Sequence, residues 1–384
     1  MMISSGEQIA FRPRYSADES SNEAYAEDLR RQRNQGRKRR AYAVIILIIG
    51  FIAVTVIFRI YNFLAGGITG KNVEKPNSLA KKESFGLFDD IPNNIWKQKK
   101  AASKKAVKLQ NNMIAKTSDM LSESGANVDE TKWWEQNWLP NFSCENQLLI
   151  GGKWVCEPSR IIDLADQRKR VIGRKKKRQQ GRRECLIYVS GGNDMEFGHQ
   201  FLSFAQARMQ QLHNDQPGFD LSICEIHIFN QFMDPTLLAN NVEQGNSLGL
   251  HIHPFGFRPE KKESMGVAGN GSFKTFKETV KELGHTGTSL SILAIDCEGC
   301  EWDIYREVLS SDLTVQQILI QMHGTPFIAN RFFAAMHNAG YAIFHKEGVG
   351  VGVYDYSFLR LAPSYFGFKF PRLFLRQFSN GPER

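Results

Sequence analysis

The stretch Ser289–Trp302 reads SLSILAIDCEGCEW. Its first eight residues are mostly aliphatic, with the length and character of a strand buried on both faces. The run stops at Asp296, and three carboxylates, Asp296, Glu298 and Glu301, fall within six residues. Packing does not ask for three acids at the end of a buried strand. Asp296 and Glu298, emerging where the strand leaves the sheet, are placed to accept hydrogen bonds or to ligate a divalent cation. For Glu301 two readings stand level: a functional acid, or one that favours the positive end of the helix beginning at Trp302. Cys297 and Cys300 form a C-x-x-C with no second pair nearby, which fits packing or a disulfide better than structural zinc.

On either side of this stretch strands alternate with helices. ECLIYV (from Glu184), LSICEIHIF (from Leu221) and LGLHIH (from Leu248) precede it, and QQILIQMH (from Gln316), YAIFH (from Tyr341) and YDYSFLRL (from Tyr354) follow. Between them Phe201, Phe204, Ala205, Met209 and Leu212 recur at helical spacing, as do Phe273, Phe276, Val280 and Leu283, with Ser272 as the expected N-cap. Trp302, Tyr305, Val308 and Leu309 share one helical face, and a further helix is expected over Ile328–Asn338. Repeated βα units of this length predict an α/β fold: a Rossmann-like, doubly wound, mostly parallel seven-stranded sheet, with the closing hairpin adding an antiparallel strand. Residues 184–370 are assigned to this domain.

The N-terminal half is built differently. Residues 1–40 are polar and lack periodicity, as expected of a disordered cytosolic tail. Ala41–Phe58, AYAVIILIIGFIAVTVIF, has no charge in eighteen residues and spans roughly 27 Å as a helix, enough for a single transmembrane helix. Arg37, Lys38, Arg39 and Arg40 abut its start, whereas Arg59 stands alone beyond it, which orients the N-terminus to the cytosol and the rest across the membrane, in the Golgi or the endoplasmic reticulum. Residues 59–130 are expected to form a stem, partly helical around Lys100–Met120, and residues 131–183 a Trp- and Cys-rich segment with a basic linker. Cys144 and Cys156 are expected to pair in an oxidising compartment, where the sequons at Asn141 and Asn270 would be open to glycosylation.

The formal charge of +9 is local: Arg30–Arg40 holds seven basic residues and Arg168–Arg183 ten, with no acid in either. The remaining 32 basic residues face 40 acids, so the high charge reports two local clusters, which weakens a nucleic-acid reading, since that wants a basic face on the folded domain. Six cysteines in 384 residues exclude a disulfide-dense scaffold.

Ligands of open α/β sheets bind beyond the carboxyl ends of the strands. Tyr188, Ser190, Gly191, Gly192 and Asn193 follow the first strand and are candidates to hold the amino-acid end of a cofactor through backbone N–H groups and short polar side chains. The run lacks the full G-x-G-x-x-G of a dinucleotide site. His323, freed by Gly324 after the fifth strand, is placed as a general base, and with Asp296 and Glu298 it completes a candidate metal set. His251 and His253 alternate along a strand and share one face, lining a cleft or simply packing.

These motifs together resemble the methyltransferase-like protein 24 group, related more distantly to FkbM-type methyltransferases. The likeness runs from residue 133 to about 361 and lies in GGKWVCEP (from Gly151), CEIHIFN (from Cys224), LHIHPFGF (from Leu250), D-x-E-G-x-E (from Asp296) and ILIQMHGTP (from Ile318). It implies an S-adenosylmethionine-dependent methyltransferase in which Asn230 and Asp296 join Tyr188 and Ser190–Asn193 at the cofactor, and Asp296, Glu298 and His323 serve catalysis. The chain departs from the family at Asn230 and Gln321, where acids are expected; Asn230 keeps a donor and an acceptor but no charge. A divalent metal at the site is compatible with the same residues. The lumenal position points to a glycan or another secretory-pathway acceptor, with no nucleic acid. Two rivals share the anchored layout: a Golgi glycosyltransferase-like enzyme, although no D-x-D occurs, and a catalytically inactive lumenal binding module.

Overall fold

The computed structural model describes residues 78–123, 130–174, 185–191, 194–213, 223–232, 249–258, 272–297, 299–323 and 326–367. All fall within one unit of the chain, Lys75–Arg384. The expected tail, the span at 41–58 and the first part of the stem lie outside the described residues, as do Gly192, Asn193 and Glu298. Among the described residues no helix is long and apolar enough to cross a membrane.

In chain order the elements are α1 (Leu79–Glu83), α2 (Asn93–Glu123), α3 (Glu130–Gln136), β1 (Gln147–Ile150), β2 (Lys153–Cys156), α4 (Pro158–Arg174), β3 (Cys185–Gly191), α5 (Asp194–His213), β4 (Cys224–Phe229), β5 (Leu250–His253), β6 (Gly256–Phe257), β7 (Phe273–Lys274), α6 (Phe276–Glu282), β8 (Ser289–Asp296), α7 (Glu301–Ser310), β9 (Thr314–His323), α8 (Pro326–Asn338), β10 (Tyr341–Gly350), β11 (Val353–Arg360) and α9 (Pro363–Phe366). Seven strands form the main sheet in the order β10-β11-β9-β8-β3-β4-β5. β3, β4, β5, β8 and β9 run parallel, and β11 lies antiparallel between β9 and β10. The expected seven-stranded, mostly parallel sheet is what forms. Its last strand inserts between two others rather than closing the edge.

Every residue of β3 is buried, because it is an interior strand, between β8 and β4, with helices on both faces. Side chains alternate along a strand, so Cys185, Ile187 and Val189 enter one core, with Phe197 and Phe201 of α5, while Leu186 and Tyr188 enter the other, with Phe276, Ile304 and Phe332. The chain winds outward from β3 to β4 and β5, then crosses to β8 and β9 on the other side. The reversal places a crevice beyond the carboxyl ends of β3 and β8, where such sheets bind ligands.

Three local readings need correction. From Ser78 on, the expected stem is no free spacer: α2 forms over the predicted helical region, and its Trp96 is fully buried against Phe88, Phe142 and Tyr365. The basic linker starts as helix, since α4 runs through Arg174 and Arg170 pairs there with Asp166. The cap before α6 is Thr275, not Ser272, because Glu278 lies three residues on from Thr275 and closes a capping box.

The Trp-rich segment docks beneath the closing hairpin. Trp134 stacks on Tyr354, Trp138 stacks on Phe333, and the Trp138 indole N–H donates to Asn330. Lys346 of β10 donates to the carbonyls of Trp134 and Asn137 at the end of α3, and burial lowers its pKa to about 8. Asn141 is tied into the fold at that point, its side-chain oxygen accepting from the Ile343 N–H at 3.0 Å.

Candidate active site

Gly191 ends β3 directly opposite Asp296, the last residue of β8. Its φ is +145°, and a Cβ there would stand 2.0 Å from the Asp296 carbonyl oxygen. Only glycine permits this approach, which keeps backbone rather than side chain at the mouth of the crevice. Ser190 precedes it, buried, at the expected place. Tyr188 does not reach the crevice. Three residues before Gly191, it faces the second core, fully buried, with its hydroxyl in hydrogen-bond contact with His285 Nδ1. Its assignment to the cofactor is withdrawn: it lies too far below the strand end, and its hydroxyl is engaged in the core by His285.

Asn230 follows β4. Its N–H donates to the His253 carbonyl at 3.0 Å, and its side-chain oxygen accepts from the Phe232 N–H at 2.8 Å. The oxygen thus closes a side-chain-stabilised turn, a task Asn performs as well as Asp.

Asp296 and His323 lie side by side, with His323 Nε2 4.0 Å from Asp296 Oδ1. Burial pushes the Asp296 carboxyl upward, while the nearby charges of Lys153 and His323 pull only part of the way back. Glu301 explains how the histidine is held. Wholly buried, it accepts the His323 backbone N–H at 2.7 Å through Oε1 and the Gly299 N–H at 2.7 Å through Oε2. Oε1 also lies 3.2 Å from His323 Nδ1. A donor on Nδ1 leaves the Nε2 lone pair toward Asp296, and the Trp302 indole N–H donates to the His323 carbonyl. Glu301 is therefore a clamp between the β8–α7 turn and the end of β9, neither a simple helix-dipole acid nor a group facing the crevice.

Three further residues border the site. Lys153, in the turn-proximal end of β2, donates to Asp355 Oδ1 at 3.0 Å. Gln321, the cross-strand partner of Asp355, donates to the same oxygen at 3.1 Å. An acid at position 321 would oppose Asp355, so Gln321 is matched to its neighbour. β2 itself is fixed by Gln317, whose buried carboxamide accepts from the Cys156 N–H at 3.0 Å and donates to its carbonyl at 2.7 Å. Lys153 carried a sequence signal in the Gly151-Gly152-Lys153 turn, and Asp355 as an acid within an aromatic strand. Neither signal shows its partner.

All six cysteines are paired, as Cys144–Cys156, Cys185–Cys224 and Cys297–Cys300. The first was expected. The second joins register partners at the start of β3 and β4. The third joins Cys297, just after β8, to Cys300, just before α7.

This arrangement, a doubly wound sheet with a glycine-floored crevice and an acid–histidine pair beside it, defines a Rossmann-like enzyme domain. A family described as a methyltransferase domain matches residues 78–360 of the chain, and the chain belongs to it. The enzyme class and the methyl donor expected from the sequence, an S-adenosylmethionine-dependent methyltransferase, stand on that membership. No curated protein matches. Among solved structures, one similar chain is a Streptococcus pneumoniae protein described as a tRNA (m1A22) methyltransferase, in complex with S-adenosyl-L-methionine. It is 12% identical, with 55% of this chain and 77% of that one covered and a TM-score of 0.26.

Proposed function

We propose that the chain is a membrane-anchored O-methyltransferase of the secretory pathway, acting on a hydroxyl of a glycan or another lumenal acceptor and akin to the methyltransferase-like protein 24 group. The observation that carries the reading is the apposition of Gly191 and Asp296 at the strand-order reversal, with His323 beside them. Gly191 leaves a backbone-floored cradle that a side chain would fill, which suits the amino-acid end of S-adenosylmethionine. Asn230, at the next strand end, suits the ribose. When bound, S-adenosylmethionine supplies an electrophilic methyl group. The protein's share is to place an acceptor hydroxyl in line and to take its proton, for which His323 Nε2, oriented through Nδ1 by Glu301, is the base. A divalent cation held by Asp296, with Glu298 two residues on in sequence as a further candidate ligand, would assist the same deprotonation.

Three disulfides support an oxidising compartment. The charge asymmetry around residues 41–58 supports a lumenal domain. Titration calorimetry of the purified chain with S-adenosylmethionine, and separately with UDP-sugars, tests the reading. Saturable heat is expected with the first and none with the second. Binding of a nucleotide-sugar alone would favour the glycosyltransferase reading, and binding of neither the inactive module.

A further inference from the structure

We propose that a second, buried site on the β4–β5 side of the sheet binds a zinc ion through Glu225, His227 and His285. The three come from two separate parts of the chain: Glu225 and His227 from β4, His285 from the loop between α6 and β8. All are buried, and one ligand atom from each lies within 4.8 Å of the others. Glu225 Oε1 is the centre of the group, 2.8 Å from His227 Nε2 and 3.7 Å from His285 Nε2. His251 Nε2, on β5, lies 3.9 Å from the same oxygen. Ligand atoms about 2.0 Å from a tetrahedral zinc ion stand roughly 3.3 Å apart, so changes of at most about 1.5 Å in any separation, the difference between 4.8 and 3.3 Å, convert this cluster into a coordination shell.

The other ring nitrogens make the case stronger than proximity alone. His285 Nδ1 contacts the Tyr188 hydroxyl, and His227 Nδ1 lies 2.8 Å from His253 Nε2. Both imidazoles are thus turned by a partner on Nδ1 so that Nε2 points inward, the outer-shell arrangement that orients histidine ligands on metals. The backbone of His285 is fixed as well. Its N–H donates to the Val280 carbonyl at 2.9 Å, and its carbonyl accepts from Thr288 Oγ1 at 2.6 Å. Two histidines and one carboxylate, with His251 adjacent, form a nitrogen- and oxygen-donor set that suits zinc and lacks the thiolates that would select softer ions. Tyr188, displaced from the cofactor list by its burial, acquires a role here as the group that orients His285. The ion would staple β4 to the loop entering β8. It lies apart from the Asp296–His323 pair and does not depend on the methyl-transfer reading.

The test uses the full chain, purified in detergent with an affinity tag free of histidine. The chain is incubated with excess zinc, desalted, and its metal measured by plasma mass spectrometry. About one zinc per chain is expected, with a thermal midpoint higher by about 5 °C at a hundredfold excess over Kd. Cobalt in place of zinc should give visible d–d absorption of a four-coordinate site. Glu225→Gln and His285→Gln should each lose the retained zinc and the midpoint shift, with circular dichroism checking that they fold. Wild-type chain that retains no zinc, gives no cobalt band and shows no midpoint shift overturns the site without reference to any variant. So does a folded His285→Gln chain that retains zinc as the wild type does.

Discussion

Gly191→Ala is the most direct probe of the crevice. The added Cβ would stand 2.0 Å from the Asp296 carbonyl oxygen and 2.7 Å from its carbonyl carbon, where ordinary contact begins at 3.4 Å. β3 and β8 would have to part by roughly 1.4 Å, the difference between 3.4 and 2.0 Å, at the centre of a sheet packed on both faces. Relieving such an overlap costs about 1–3 kcal/mol. Holding alanine at a φ of +145° costs about 1–3 kcal/mol more. The sum, roughly 2–6 kcal/mol, lowers the melting midpoint by about 4–12 °C for a domain of this size. Scanning calorimetry reads the stability, and titration with S-adenosylmethionine reads the cradle. Affinity should fall at least tenfold even at temperatures where the variant is folded. A variant that melts within 1 °C of the parent and binds the cofactor equally would refute the close approach of the two strand ends.

Three other outcomes follow from the same geometry. Because burial raises the folded-state pKa of Asp296 above the ordinary carboxyl range, the ionised form costs the fold stability as pH rises through that range. Asp296→Asn should therefore melt higher than the parent at neutral pH, with the advantage vanishing in acid, while turnover drops by about a hundredfold or more; a lower melt at neutral pH or unchanged turnover would count against the assignment. Glu301→Gln keeps the shape but replaces one of two accepting oxygens with a donor, so it should cost about 1–3 kcal/mol and reduce kcat by about tenfold without changing cofactor affinity; an unchanged kcat removes the clamp from the mechanism. Replacing Cys144 and Cys156 with serine opens a loop of sequence separation 12 and should cost about 3 kcal/mol in denaturant titration, and a loss below 1 kcal/mol would show that the hairpin holds without it.

The sheet was legible because its signals are local. Each central strand is a short aliphatic run, the helices between show 3.6-residue spacing, and the reversal at β3 follows from ordinary βα winding. Asp296 and His323 stood out as candidates because a polar residue ending an aliphatic run has few structural uses. The misreadings arose where the decisive partner is distant in sequence. Tyr188 was grouped with Ser190 and Gly191 by adjacency, although it lies deeper along the strand and its hydroxyl partner is His285. Trp96 and Val107 are too sparse on α2 to mark a packed face, so the helix was visible but its docking was not. Glu301 could not be assigned because its targets are Gly299 and His323, on either side of a helix and a strand. The histidine cluster is assembled from β4, β5 and a loop, and the spacing of Glu225, His227 and His285 in the chain matches no short metal motif.

The segment before the sheet belongs to the catalytic unit. Gly151 packs against the backbone of Phe197 at the start of α5, too closely for any side chain, and its N–H donates to Gln200 at 2.7 Å. That contact fixes the turn from which Lys153 extends, while Gln317 grips the other end of β2 through the Cys156 backbone. Lys153 is thereby held against Asp355, close enough to Asp296 to oppose the upward push of burial on its pKa. A chain truncated at the first strand would lose this cation and keep the acid. The Asp296 carboxyl would then rise further and be less often ionised at a given pH, weakening its hold on a cation or a donor hydroxyl. The match of the methyltransferase family from residue 78, well before β3, agrees with this dependence: the residues that set the electrostatics of the crevice arrive from a hairpin that the seven-stranded sheet alone does not contain.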